Sequence, residues 1–385
     1  MTRNPQVFPE GLYIHLPFCA AICTYCDFAS EIYAAARATR YLNALEKEFA
    51  ARISELGLGT ERYAPRTIFL GGGTPSALNI AELTCFFDLL EKYVETREAA
   101  EFTIEANPGS TEPAKLDFLR ARGVNRISFG VQSFQPHLLK LLGRVHGAEQ
   151  GAQAVALARE AGFDNVSIDL MHGLPTQSLA DLKSDLEQAL ALKTEHISAY
   201  GLIYESGTPL KNAVEKKQIE RLSPEEEGLH YRTVMETLER GGLPQYEISN
   251  YARAGLEARH NLIYWRNEAY MGMGVSAASF SNWTRSTNHY EMDAYINAAA
   301  KTGHAIAESE QLDAEARARE SLVLELRLRR GVDAAEFKSR WGLDITTLPA
   351  LEKFMKQNLI EYAGGRYRIK QEAQTVADGI LSDFV

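Results

Sequence analysis

Residues 12–28 read LYIHLPFCAAICTYCDF, a short apolar run that leads straight into Cys19, Cys23 and Cys26. GLYIHL (11–16) has the composition of a strand, so the three cysteines fall on the loop that follows it. Cysteines clustered this tightly in a cytosolic chain read as metal ligands before they read as disulfides. A closed zinc site takes four protein ligands. The fourth cysteine, Cys85, lies in LTCFFDLL, where the pattern is that of a helix interior and a buried apolar thiol is expected. Three thiolates without a protein fourth suit a 4Fe–4S cluster that keeps one iron open for a small molecule.

Outward from this stretch, apolar runs alternate with helical patterns. TIFLGGG (67–73), EFTIEA (101–106), RISFGVQ (126–132), NVSIDL (165–170) and HISAYGL (196–202) read as strands. Helical stretches are expected over 33–56, 79–95, 112–122, 136–161 and 178–192. Near-continuous apolar strands interleaved with helices predict an α/β chain whose parallel sheet is covered on both faces. Six such units suggest a barrel or partial barrel, and the polar residues gather just after the strands, at the end where such barrels carry their chemistry.

The pattern changes near residue 215. Charged helical segments, QYEISNYAR and a Gly/Ser-rich stretch (272–281) follow. From 312 helices return, with further ones over 333–341 and 347–358, and GGRYRIK (364–370) reads as a hairpin wing. The expected division is 1–215, 216–311 and a small helical, winged-helix-like domain over 312–385. The formal net charge of −10 disfavours phosphate-binding surfaces, and no basic recognition stripe marks the last domain, so nucleic acid is not an expected partner. The N-terminal MTRNPQVFPE lacks the apolar core of a leader, and no apolar run is long enough to span a membrane. A cytoplasmic protein is expected.

The cysteine spacing, with LYIHLPFC before it, DF after it and GGGTP one βα unit later, resembles the radical S-adenosylmethionine (radical SAM) superfamily. The resemblance implies a partial (β/α)6 barrel over 1–215, extended through 216–311. It also implies a cluster on Cys19, Cys23 and Cys26 whose open iron is chelated by S-adenosylmethionine (SAM). LGGGTPS, IEANP, RISFGVQSF, LGRVH, NVSIDLMHGLP, YEISN and HNLIYW occur in the order found in HemW-type haem chaperones, relatives of HemN, the oxygen-independent coproporphyrinogen III oxidase. In the oxidase branch a further cysteine follows the third after one residue. Phe28 stands there, which favours the chaperone branch.

Carried over by position, Tyr13, Gly72 and Glu105 resemble residues around the cluster-bound SAM. Tyr25, Gly73, Thr74, Gln132, Arg144 and Asp169 resemble residues that contact a second SAM in the oxidase. Each has a plainer reading: Glu105 and Asp169 as helix caps, Gln132 as a loop-backbone partner, Arg144 as a surface cation. HNLIYW (260–265) matches the chaperone signature HNxxYW, which makes His260 the candidate haem ligand; the alternative is a satisfied core histidine. His15, His146 and His172 are weaker candidates, and His15 is expected only to orient the loop.

One departure stands out. Relatives carry Gly-Ala-His-Ser where this chain has Ser276-Ala277-Ala278-Ser279, a string closer to the oxidase branch. The resemblance therefore implies a haem chaperone that serves acceptor proteins, with a radical oxidase or methyltransferase acting on a tetrapyrrole as the alternative. It leaves an electron donor unidentified, and a homodimer and peripheral membrane attachment open.

Overall fold

The computed structural model describes residues 8–385; residues 1–7, most of the stretch read for a leader, lie outside the described residues. The strands β1 (Gly11–Leu16), β2 (Thr67–Gly72), β3 (Glu101–Ala106), β4 (Arg126–Gln132), β5 (Asn165–His172) and β6 (His196–Gly201) pair in parallel in that order. Their side chains divide by the period of two. On β1, Leu12, Ile14 and Leu16 are fully buried in the main core, while Tyr13 and His15 face the barrel interior.

The sheet continues beyond these six. β7 (Gln245–Glu247) and β8 (Asn250–Ala252) close one edge. On the other lie β9 (Tyr270–Met273), β10 (Ala278–Ser281), β11 (Thr284–Asn288) and β12 (Ile306–Gln311). Among the described residues the sheet has twelve strands, ordered β12-β11-β10-β9-β1-β2-β3-β4-β5-β6-β8-β7. β9 pairs with β1 in parallel, so the start of the Gly/Ser-rich stretch contributes a seventh parallel strand.

The helices α1 (Ala35–Ser54), α2 (Ile80–Tyr93) and α3 (Pro113–Ala121) cover the outside of the barrel. The single helix expected over 136–161 is two, α4 (Pro136–Leu141) and α5 (Ala148–Glu160). Gly143 ends the first in a left-handed conformation and Gly147 is the N-cap of the second, which frees Arg144 for the barrel mouth. α6 (Leu179–Ala191), α7 (Pro209–Glu215), α8 (Pro224–Arg240), α9 (Arg259–Trp265) and α10 (Met292–Thr302) complete this part. Cys85 is exposed on α2, not buried: Leu83, Phe86, Phe87 and Leu90 take the inward face of that helix.

The C-terminal part packs around its own apolar cluster, Leu322 to Phe384. It comprises α11 (Ala314–Leu326), α12 (Ala334–Trp341), α13 (Pro349–Lys356), the hairpin β13 (Ile360–Ala363) and β14 (Arg366–Ile369), and α14 (Ala377–Leu381). Among the described residues no helix is long and apolar enough to cross a membrane.

Candidate functional site at the barrel mouth

The cysteine loop is fastened at four points. Tyr33 N–H donates to the Cys19 carbonyl (2.8 Å), and Thr24 N–H to Leu142 O (3.1 Å). Tyr290 Oη donates to Asp27 O (2.9 Å), and His15 Nε2 to Ala29 O (2.9 Å). With Nε2 committed as donor, His15 accepts from Tyr13 Oη at Nδ1 (3.2 Å), and burial holds its pKa down at about 4. His15 is thus a neutral strut under the loop.

The three thiols line one side of a cleft of about 570 Å³ at the C-terminal ends of the strands. Burial pushes the Cys19 and Cys26 thiols up, and the neighbouring cysteines push in the same direction. Ligation would therefore have to release these protons. Cys85, on α2, is not at the cleft. Among the described residues no three His, Cys, Asp or Glu side chains gather at single-ion distances. A cubane spreads its thiolates more widely than one ion does, so the donor set fits a cluster better than a lone zinc.

Against the start of the cysteine loop lies the turn Gly71–Thr74. A Cβ at Gly73 would stand 2.6 Å from the Pro17 carbonyl carbon, so only glycine lets the turn close against the cysteine loop. Its amides are all spent: Gly72 N–H on Glu105 Oε2 (3.3 Å), Gly73 N–H on Leu16 O (3.0 Å) and Thr74 N–H on Phe18 O (2.8 Å). What remains for a ligand is carbonyl oxygen, the acceptor an ammonium group needs. The Thr74 hydroxyl lies 3.5 Å from Cys19 Sγ.

Glu105 and Asp169 share the floor of the cleft and cap no helix. Glu105 holds the Gly72 amide, and Asp169 accepts from the Ser128 hydroxyl (3.0 Å). Burial, reinforced by the Asp169 charge, raises the Glu105 carboxyl to about 8; burial also raises Asp169. Arg144 is no surface cation: it donates to Cys23 Sγ (3.3 Å) and to Gly130 O (2.5 Å). Gln132 ends β4 at φ 68°, at a register shift against β5, and this re-aims its side chain toward the cleft. Tyr25 also lines the cleft.

The structure therefore gathers Cys19, Cys23, Cys26, Tyr25, Gly72, Gly73, Thr74, Glu105, Gln132, Arg144 and Asp169 around one cleft. Tyr13 is not among them; it points into a second hollow beside the loop. His260 stands apart at the N-terminal ends of the strands. It is 1% exposed, its Nδ1 pairs with Thr67 Oγ1 (2.8 Å) and its Nε2 with Tyr264 Oη (2.8 Å), and burial lowers its pKa to about 3. Both nitrogens are used and His260 lines neither the cleft nor the hollow, which favours the satisfied core histidine over the ligand reading. His146, bonded to Val131 O (3.1 Å), is likewise buried.

Sequence reasoning passed over Arg126. It is 2% exposed inside the barrel, and its charge draws down both Glu105 and Asp169. The available signal was an arginine beginning an otherwise apolar strand.

Residues 13–189 match the radical SAM superfamily model and residues 312–376 the HemN C-terminal domain model. The "Heme chaperone HemW" of Bacillus subtilis is 36% identical over 98% of this chain and 99% of its own. That of Escherichia coli is 39% identical over 70% and 69%. Among solved structures, the coproporphyrinogen III oxidase HemN of Escherichia coli, described as a radical SAM enzyme, superposes with a TM-score of 0.86 at 25% identity, covering 100% of this chain and 91% of that one. A chain matched from end to end in this way, with its three cysteines set at the mouth of a radical SAM barrel, belongs to the HemW family of the radical SAM superfamily.

Proposed function

We propose that this chain is a haem chaperone that holds a 4Fe–4S cluster on Cys19, Cys23 and Cys26, binds SAM across the cleft, and passes haem to acceptor proteins. The observation that carries this is the end-to-end likeness to relatives named as haem chaperones, in a chain whose cleft offers three thiols and has Phe28 in place of a fourth. Gly72, Gly73, Thr74 and Glu105 would receive the amino end of SAM. Tyr25, Gln132, Arg144 and Asp169 line the remainder of the cleft and, with Gly73 and Thr74, are the candidates for a second SAM. Held by Cys19, Cys23 and Cys26 and reduced by an electron donor, such a cluster would supply one-electron chemistry toward SAM. The residues of this chain bind, orient and exclude water.

A second reading keeps the cleft but has it serve the oxidation of coproporphyrinogen III by radical decarboxylation. The GVSAAS string (274–279) and the HemN-like fold favour it. Anaerobic reconstitution, reduction and addition of SAM with coproporphyrinogen III separates the two. The chaperone reading expects no protoporphyrinogen by mass spectrometry while haemin binds in a parallel sample; product formation would overturn it.

Glu105 gives the SAM site a pH signature. Its pKa is about 8 against an ordinary 4.5, so before a ligand binds it is largely protonated at neutral pH. An ammonium-bearing ligand prefers the carboxylate. SAM affinity is expected to rise with pH until about 8 and then level, and Glu105→Gln to bind more weakly with a flat profile. In the ligand-free chain the sign for stability is opposite. The folded state retains a proton that the unfolded chain loses above about 4.5, so Glu105 costs stability as pH climbs from there to about 8. A pH-independent SAM Kd between 6 and 9 would remove Glu105 from the site.

His260→Ala tests the position of the haem ligand. The imidazole joins Thr67 to Tyr264 and stacks on Phe69, with centroids 5.2 Å apart. The variant is expected to lose about 2–4 kcal/mol of stability, as buried polar truncations do, while the absorption spectrum of bound haem stays unchanged. A changed Soret band of haemin, with binding of iron-free protoporphyrin IX unchanged, would restore His260 as ligand.

A further inference from the structure

Beside the cysteine loop lies a second cavity of about 510 Å³, distinct from the cleft that the three thiols line. Its floor is Tyr13, Tyr264 and Tyr270, and its rim is Phe28 and Tyr290. The floor residues come from β1, α9 and β9. The rim pair is unusual: Phe28 is 65% exposed and Tyr290 56%, large rings left facing water on separate loops across one hollow. They are held there, because Tyr290 Oη donates to Asp27 O (2.9 Å). Asp27 and Phe28 line both cavities, so an occupant would lie against the cysteine loop.

Resting on the haem reading above, we propose that this aromatic cavity is the seat of the tetrapyrrole, gripped by stacking rather than by a histidine. Its volume falls in the range of ligand pockets. Its walls are aromatic faces and edges, which suit a flat conjugated macrocycle. The HNxxYW signature reaches it indirectly: His260 Nε2 fixes the Tyr264 hydroxyl at 2.8 Å, and Tyr264 packs edge-on against Tyr270 with centroids 4.6 Å apart. His260 is then a positioning residue for the cavity floor. Ala278 lines the same cavity. His15, the histidine that does line the wall, has both nitrogens engaged.

The test is a titration of the anaerobically reconstituted full chain with haemin and, separately, with iron-free protoporphyrin IX. Phe28→Ala and Tyr290→Ala alter exposed side chains. Each is expected to weaken both porphyrins roughly tenfold, the scale of one lost aromatic contact. Ala278→Trp, which fills the hollow, is expected to abolish binding of both. Iron-free porphyrin is expected to bind the parent chain within about threefold of haemin, because stacking does not require the metal. If haemin binds the parent and all three variants alike, the cavity is not the site while the haem reading stands. If the parent binds iron-free porphyrin far more weakly than haemin, ligation rather than stacking holds the ligand and the inference fails. If the parent binds no haemin, both the inference and the haem reading fall.

Discussion

Cys23→Ser is expected to leave a folded chain without iron, without the broad iron–sulfur absorbance and without measurable SAM binding. Two thiolates cannot hold a cubane that three hold with one iron open, and the cleft supplies no substitute, because Cys85 lies exposed on α2. Cys23 is also the thiol to which Arg144 donates (3.3 Å), so its replacement releases the guanidinium that ties the cysteine loop to the end of β4. The fold itself should persist. The loop remains fastened through Thr24 to Leu141 O (2.8 Å) and through His15 to Ala29 O (2.9 Å), neither of which involves a cysteine. Cys85→Ser, the control, is expected to keep iron, absorbance and SAM affinity at parent levels. An unchanged spectrum in Cys23→Ser, or iron lost equally in Cys85→Ser, would overturn the assignment of the cluster to the mouth.

The six parallel strands were legible because each is covered on both faces and shows the apolar run that such cover demands; β1 and β3 fall where their letters place them. β9 was not legible. Its sequence, YMGM, carries a glycine where the strand meets Ala278 O at a distance no Cβ would tolerate, and glycine reads as loop. The mouth residues were legible as a set because they end consecutive strands. Arg144 is the instructive case: the residue stood out, but the break in its helix did not, since an interior Gly-Arg-Val-His costs a helix too little for periodicity to reveal. His260 misled for the opposite reason. Imidazole chemistry is the same at a haem and in a core, and only the Thr67 and Tyr264 hydroxyls, distant in sequence or hidden within the motif, tell them apart. Cys85 failed for a geometric reason, one position off the apolar stripe of α2.

Glu48→Ala is expected to be the most destabilising single substitution outside the apolar core, by about 3–5 kcal/mol, the range found when one partner of a buried charged network is removed. Glu48 is fully buried on α1. Its carboxylate accepts from Gly274 N–H (2.8 Å), Asn288 Nδ2 (2.7 Å) and Tyr295 Oη (2.7 Å), with Arg52 Nη1 at 3.8 Å. One side chain thus joins α1 to α10, to β11 and to the turn between β9 and β10. Removing it leaves the Gly274 amide and the Tyr295 hydroxyl without an acceptor in a place water does not reach, while Asn288 Nδ2 keeps Gly274 O (2.8 Å) and Arg52 Nη2 keeps Ser279 Oγ (3.2 Å). Glu48→Gln should fall between the two, since its oxygen still accepts but its amide confronts donors. The consequence extends to the ligand. The Gly274 turn leads into Ser276 and Ala278 on the wall of the aromatic cavity, and Val275 N–H is held by Tyr41 Oη (3.2 Å), which itself donates to His15 O (2.6 Å) beneath the cysteine loop. Loosening the turn should therefore weaken porphyrin binding in Glu48→Gln under conditions where the variant is still folded, while the iron content is preserved. Urea unfolding of Glu48→Ala within about 1 kcal/mol of the parent would show that the network relaxes or hydrates, and the rigidity of the cavity wall would go with it.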